Sequence, residues 1–261
     1  MVLWRIIMSH PDNERFEMIK NRILNVSRGN TGIGSLSEKS VHAVLKSYYA
    51  PNDDMIEVAI NGFVADVCFD RNIYEIQTRQ FYTMKRKLDA FLPEFDVTIV
   101  YPLPVKKTIL RVDPDSGHIT SRRVSPRKPG IYDVFYELYG IRDYLKNRHL
   151  HIKITSLEIE DIRFTGLTEQ HGRRKRPLSD LVPVRILDET DIMDIRDMMM
   201  FVPPQLNEEF TCSEFARAAG IGTELARYVT GLLRITGILE RNGRKGREYL
   251  YQVNESADLP E

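Results

Sequence analysis

Several features that would place a chain outside the ordinary globular class are scarce here. Cysteine occurs only at Cys68 and Cys212, far apart and in no metal-ligand spacing. That excludes a disulfide framework and a cysteine zinc site, and it fits a reducing cytoplasm. No apolar run approaches the roughly 18 residues that a spanning helix needs, so no membrane is expected as a partner. The opening MVLWRIIMSH is too short and wrongly flanked for a signal peptide, and Met8 stands as an alternative start. No internal repeat is visible. Net charge is missing too: Lys and Arg total 37, as do Asp and Glu. No global field draws in nucleic acid, so such a partner must be read from local charge.

What is present suffices for one medium domain and a small one: 261 residues, 42% hydrophobic and 28% charged. The chain is organised around residues 55–78, MIEVAINGFVADVCFDRNIYEIQT, which read as three short strands. Asn61-Gly62 is a strong hairpin signal, since both residues tolerate positive φ. Asp70-Arg71-Asn72 is a weaker turn signal. Two-residue loops at Asn61-Gly62 and Arg71-Asn72 put Glu57 opposite Asp66, Asp66 opposite Gln77, and Cys68 opposite Glu75. Ile56, Val58, Ile60, Phe63, Ala65, Val67, Phe69, Tyr74 and Ile76 then form a core face. Glu57, Asp66, Glu75 and Gln77 share the other. Its bland explanation is the solvated side of an antiparallel sheet. The sharper one is a bound divalent cation, because like charges opposed on a sheet repel and Mg²⁺ takes carboxylate oxygens.

Helical periodicity is expected over residues 13–26, 37–49 and 80–92. Ser37 is the expected N-cap of the second, with Glu38 in its first turn, where a carboxylate suits the helix dipole. Lys85 and Lys87 flank the apolar stripe of the third. Residues 96–101, DVTIVY, read as a strand beside the third strand of the meander, reached through a helical crossover. Residues 103–128 turn basic, and Arg122, Arg123, Arg127 and Lys128 form a stretch suited to phosphate. A helix over 131–147, a strand over 149–159 and a helix over 190–200 follow, with the basic run 171–176 marking a domain boundary. Towards the C-terminus come two capped helices with a Gly-Ile-Gly turn and a basic hairpin. Glu224, Arg227, Tyr228 and Arg234 fall on the exposed side of the second helix. Arg241, Arg244, Lys245 and Arg247 fall on or near the hairpin.

The order Asp66, turn, Glu75-Ile76-Gln77 resembles the PD-(D/E)xK nuclease superfamily, where an Asp ends the second strand and Glu-x-Lys lies on the third. The likeness spans residues 37–100. Glu38 matches the extra acidic residue of many members. Gln77 stands in the lysine seat, and some relatives, including competence-associated nuclease-like proteins, also show Glu-Ile-Gln there. The C-terminal helices and hairpin resemble a winged helix-turn-helix. Together they resemble a bacterial-type family without a settled activity.

The resemblance implies an α/β (α+β) fold with a mixed central sheet flanked by helices, restriction-endonuclease-like, plus a small winged-helix domain. The domains would be residues 1–168, a basic linker and connecting helix at 169–207, and 208–255. It implies a Mg²⁺- or Mn²⁺-dependent nuclease acting on duplex or branched DNA. Asp66 and Glu75 would ligate the metal with the Ile76 carbonyl, and Glu57 or Glu38 would serve a second ion or an ordered water. Gln77, or Lys85 or Lys87 from the helix, would position the attacking water. A competing expectation is a binding or assembly protein on a retired nuclease scaffold, since a neutral amide cannot replace a lysine's charge. RNA as substrate and a homodimer as assembly stay open.

Overall fold

The computed structural model describes residues 8–9, 11–30, 40–171 and 174–254, with side chains for 11–25, 40–168 and 178–254. Ser37 and Glu38 lie outside these residues, as do the side chains of the basic run 171–176.

After a short strand β1 (Met8–Ser9) come helices α1 (Asn13–Asn30) and α2 (Ser40–Tyr49). The meander follows as β2 (Ile56–Ile60), β3 (Phe63–Phe69) and β4 (Asn72–Ile76). A 3-10 turn (Phe81–Met84) runs into α3 (Lys85–Phe91), which crosses to β5 (Asp96–Val112). Strand β6 (Ile119–Val124) folds back on β5 through a turn in which Gly117 takes a φ of 70°. The expected helix over 131–147 is broken into a 3-10 turn, α4 (Val134–Leu138) and a second 3-10 stretch (Tyr139–Tyr144) kinked at Ile141.

Strands β7 (Leu150–His171) and β8 (Arg174–Ile192) form a long antiparallel hairpin. The segment expected as a basic linker is therefore largely a strand, and Arg174, Lys175 and Arg176 of the basic run open β8. The expected helix over 190–200 starts late, as a 3-10 helix at Ile195–Phe201, because β8 extends to Ile192.

All these strands belong to one eight-stranded sheet, ordered β1-β8-β7-β5-β4-β3-β2, with β6 on β5. β4 and β7 both run parallel to β5, so β5 is the spine. Neighbouring residues of β5 point to opposite cores. Val100 packs with Phe16, Val41, Leu45 and Ile76 under α1 and α2. Val97 and Ile99 pack with Leu88, Phe91 and Phe135 under α3 and α4. The mixed sheet with helices on both faces is thus as expected.

The last part comprises β9 (Glu209–Thr211), α5 (Cys212–Ala219), α6 (Thr223–Thr236), β10 (Leu239–Lys245) and β11 (Glu248–Val253). Thr211 caps α5 through the Glu214 amide, and Gly220 closes it at a φ of 66°. The small sheet runs β10-β11-β9. Its core is not separate: Phe210, Phe215, Val229 and Leu233 join Phe135 and Phe201 in the same apolar cluster as Ile99. Among the described residues, no helix is long and apolar enough to cross a membrane.

Candidate active site

The first hairpin has the expected register, with Ile60 opposite Phe63 and Ile56 opposite Val67. The second does not. Cys68 faces Ile73 rather than Glu75, and Phe69 faces Asn72, so the loop is Asp70-Arg71. Asp70 takes the left-handed conformation (φ 51°) that the expected loop would have demanded elsewhere. The slip is two residues, so the faces survive. It brings Asp66 level with Glu75 instead of Gln77.

The regular ladder between β3 and β4 stops at Val67–Tyr74. Beyond it, side chains replace main chain. The Asp66 amide donates to Glu75 Oε1 at 3.2 Å, and the Ile76 amide donates to Asp66 Oδ2 at 2.8 Å. The two carboxylates therefore sit at the point where β3 and β4 part. Meanwhile the Gln77 amide stays on β5, donating to the Val100 carbonyl at 2.9 Å.

Two helices hold this acidic edge. From α2, His42 Nε2 approaches Asp66 Oδ2 at 3.2 Å, and Lys46 Nζ meets Glu57 Oε1 at 2.7 Å. The two basic residues are one helical turn apart, which is why both face the sheet. The N-terminus of α2 is fixed by Asp180 of β8, which accepts from the Ser40 amide at 3.1 Å and from its hydroxyl. From α3, Lys87 Nζ meets Glu75 Oε2 at 2.7 Å.

Far from being a solvated face, the site is half enclosed: Glu75 is only 3% exposed. Burial, joined by the charge of Asp66, pushes the Glu75 carboxyl up to about 7, against the pull of Lys87. Burial also opposes ionisation of Asp66, but the His42 hydrogen bond and charge, the Ile76 amide and Lys87 outweigh it and hold Asp66 below its ordinary value. Two adjacent carboxyl groups are thus driven apart in acidity, a recurring property of sites that handle protons.

The other expected site residues divide. Glu57 takes a φ of 57° within β2 and pairs with Lys46, so it is bound outside the Asp66–Glu75 pair. Lys85 does not reach the acids; its Nζ lies 3.7 Å from Asp143. Gln77 is tied down by Nε2 donating to the Arg79 carbonyl at 2.6 Å. Glu38 lies outside the described residues. His42 was missed, since on α2 it only flanks the apolar stripe and nothing local links it to Asp66. Among the described residues, no three His, Cys, Asp or Glu side chains close on one metal-sized point. Asp66 and Glu75 with the Ile76 carbonyl nonetheless fit a hard cation that keeps most of its waters. Burial first, and the charge of Asp66 second, disfavour the Glu75 carboxylate, and a cation bound there would relieve both.

The expected basic surfaces are partly self-paired. Arg122 lies 3.4 Å from Glu160, and Arg127 lies 3.6 Å from Asp133, while Arg123 and Lys128 are exposed. On the C-terminal hairpin, Arg244 stacks 4.6 Å over the Tyr249 ring, and Lys245 Nζ is 2.8 Å from Glu214. Arg227, Arg234 and Arg247 are exposed.

Mixed-sheet architecture and a carboxylate pair at parted strands define the class of domain. The chain belongs to the family described as Domain of unknown function (DUF8091), whose model matches residues 39–193. That span runs from the start of α2 to the end of β8, so it contains the sheet, the His42–Asp66 and Lys87–Glu75 pairs, and α3. An uncharacterized protein of Treponema pallidum (strain Nichols) is 26% identical over 230 residues, 87% of this chain and 89% of that protein. No solved structure matches the chain.

Proposed function

We propose that the protein is a metal-dependent nuclease of the PD-(D/E)xK type, with Lys87 of α3 in the role that Gln77 cannot fill. The observation that carries this is the 2.7 Å contact between Lys87 and Glu75, beside Asp66 at the opening of the β3–β4 ladder. Asp66, Glu75 and the Ile76 carbonyl would hold Mg²⁺ or Mn²⁺. Such an ion supplies Lewis acidity, making water more acidic and offsetting charge on a phosphate. Lys87 offers its ammonium to a phosphate oxygen. His42 keeps Asp66 ionised and fixes its rotamer. Glu75, whose carboxyl is held up at about 7 without metal, would give up its proton when the ion binds. The β9-α5-α6-β10-β11 unit reads as a winged helix that holds DNA, with Arg123, Lys128, Arg227 and Arg247 as phosphate contacts. The reading sets the protein in a reducing cytoplasm, where its separate, free cysteines stay reduced.

Incubation with plasmid and with branched DNA, with and without Mg²⁺ or Mn²⁺, tests this. Cleavage should depend on the ion, vanish in Asp66→Ala and fall by about 10²–10³-fold in Lys87→Ala. Ion-independent cleavage, or none on any substrate, contradicts it.

One observation favours a retired scaffold that only binds. Both carboxylates already have a partner within the chain, His42 for Asp66 and Lys87 for Glu75. In that case the metal-free pairs are the resting state of a structural site, and DNA binding persists without cleavage or ion dependence.

A further inference from the structure

Three tyrosine rings, Tyr136, Tyr139 and Tyr228, meet on one surface, and the exposed Tyr82 lies beside them with its backbone against Gly140. Tyr82, Tyr136 and Tyr139 are 57%, 40% and 38% exposed, which is unusual for large side chains in a well-packed region. Tyr228 of α6 joins them, its ring centroid 4.9 Å from that of Tyr136 and 5.5 Å from that of Tyr139. The patch is built by the fold. A Cβ on Gly140 would lie 3.0 Å from the Tyr82 amide nitrogen, so a larger residue would push the two 3-10 stretches apart by a few tenths of an ångström. Arg142 then lies 4.8 Å over the Tyr139 ring.

The acids nearby are spoken for. Glu137 accepts from the Gln80 amide at 2.5 Å and lies within reach of the Phe81 amide. Asp133 caps the Gly130 amide at 2.7 Å and pairs with Arg127, and Asp143 lies between Lys85 and Arg142. Among the described residues of this surface, Glu224 alone adds open negative charge, while Arg227 stands beside Tyr228 on the exposed side of α6. The surface therefore offers aromatic faces flanked by guanidinium groups. It lies along the path from the Glu75 strand, through Tyr82, to the α3 turn that carries Lys87.

We propose that this tyrosine patch is a stacking platform for unpaired bases, so that the preferred nucleic acid carries a single-stranded segment. Aromatic rings accept any base by its π-face, and arginines beside them track the phosphates. This rests on the nuclease reading for its biological sense, but binding is separable from cleavage. The test is anisotropy of a labelled 20-nucleotide oligothymidine and of a 20-base-pair duplex, with the full chain in EDTA. The single strand binds more tightly. The double change Tyr82→Ala, Tyr139→Ala weakens it at least about tenfold with the salt slope unchanged. Tyr82→Phe, Tyr139→Phe stays within about threefold of the parent, because stacking needs the ring and not the hydroxyl.

A duplex preference, no binding of either oligonucleotide, or full single-strand affinity in the alanine variant overturns the proposal. Should the alanine variant not fold, a 5-iodouridine strand cross-linked to the unaltered protein decides. Adducts at Tyr82, Tyr136 or Tyr139 support the platform, and adducts only elsewhere overturn it. If the alanine variant binds as the parent does but sediments differently, the patch joins two copies of the chain instead. Because the binding assay holds no free metal, it is independent of cleavage: absence of cleavage once Mg²⁺ or Mn²⁺ is supplied, with strand binding intact, would sink the nuclease reading and leave the platform standing.

Discussion

The β3–β4 opening and the β10–β11 hairpin carry opposite charge in opposite settings. At the opening, acids are enclosed and each is held by a basic residue from a helix across the sheet. On the hairpin, Arg241, Arg244, Lys245 and Arg247 are exposed. There, Arg241 and Arg244 lean on one ring, 3.8 and 4.6 Å over Tyr249. Enclosure makes charges strong and acidities perturbed, which suits chemistry. Exposure leaves them screened, individually weak, and suited to a long polyanion. Changes at the first region should therefore act on rate and on pH dependence. Changes at the second should act on affinity and on its dependence on salt.

The sharpest way to break this comparison is to ask whether the regions are separable at all. They are chemically distinct yet share one apolar cluster. Cutting the chain at Pro203 would expose Phe135 and Phe201 to water, along with the ring of Tyr132 that packs on Phe201 and Phe215. The cost is at least about 5 kcal/mol, enough to exhaust a typical domain's stability. A thermal melt by circular dichroism should show no cooperative transition for the truncated chain. A sharp transition near that of the full chain would make the C-terminal part an appended module after all.

Next in size is a contrast between two lysines on α3. Lys87→Ala should lower ion-dependent cleavage by about 10²–10³-fold. Lys85→Ala should change it less than about twofold, because Lys85 faces Asp143 and not the acids. Equal losses in a plasmid-nicking time course would undo the assignment of Lys87.

Glu75 gives a pH signature. Its folded-state value of about 7 lies above the ordinary 4.5. The folded state therefore keeps a proton that the unfolded chain sheds, and stability falls as pH rises through that interval. Below it the carboxyl is neutral in both states and stability is unaffected; above it the fall is complete. Glu75→Gln mimics the protonated form. It should match the parent near pH 4 and be more stable by about 3 kcal/mol near pH 8 without metal. Urea melts at both pH values would check this, and a variant less stable at pH 8 would contradict it.

Smallest in energy is the hairpin. Arg244→Ala, Lys245→Ala, Arg247→Ala should weaken duplex binding and flatten log K against log salt by about 0.9 for each phosphate left unneutralised. Metal affinity should not change. Part of the effect should be blunted in advance, because Lys245 would have to leave Glu214 to meet a phosphate. An unchanged slope would assign the unit to protein contacts.

Much of the molecule is readable one residue at a time. Asn61-Gly62 places the first hairpin and its register, and alternation places Asp66 and Glu75 on a common face. The second register slips because Asp70 and Asn72 can both accept a turn's left-handed position, and only the sheet decides between them. Strand β8 is hidden by its basic start and by the extra residues Leu187 and Val184, which the register with β7 skips and which break the period-two pattern. His42 and the reach of Lys87 are beyond sequence reasoning in principle. Each contact joins a helix to a strand through the tertiary fold, and a lysine beside an apolar stripe looks alike whether it points at Asp143 or at Glu75.

The central claim is that Asp66 and Glu75 form one cation site with Lys87 beside it. Calorimetric titration of the full chain with Mn²⁺ tests it most directly, in two buffers of different ionisation enthalpy at pH 6 and pH 8.5. The account predicts binding that Asp66→Ala abolishes and Lys87→Ala leaves intact or tightens. It also predicts release of close to one proton per ion at pH 6 and almost none at pH 8.5, because the ion needs Glu75 ionised. Binding that ignores Asp66→Ala, or proton release that does not change between the two pH values, would contradict it.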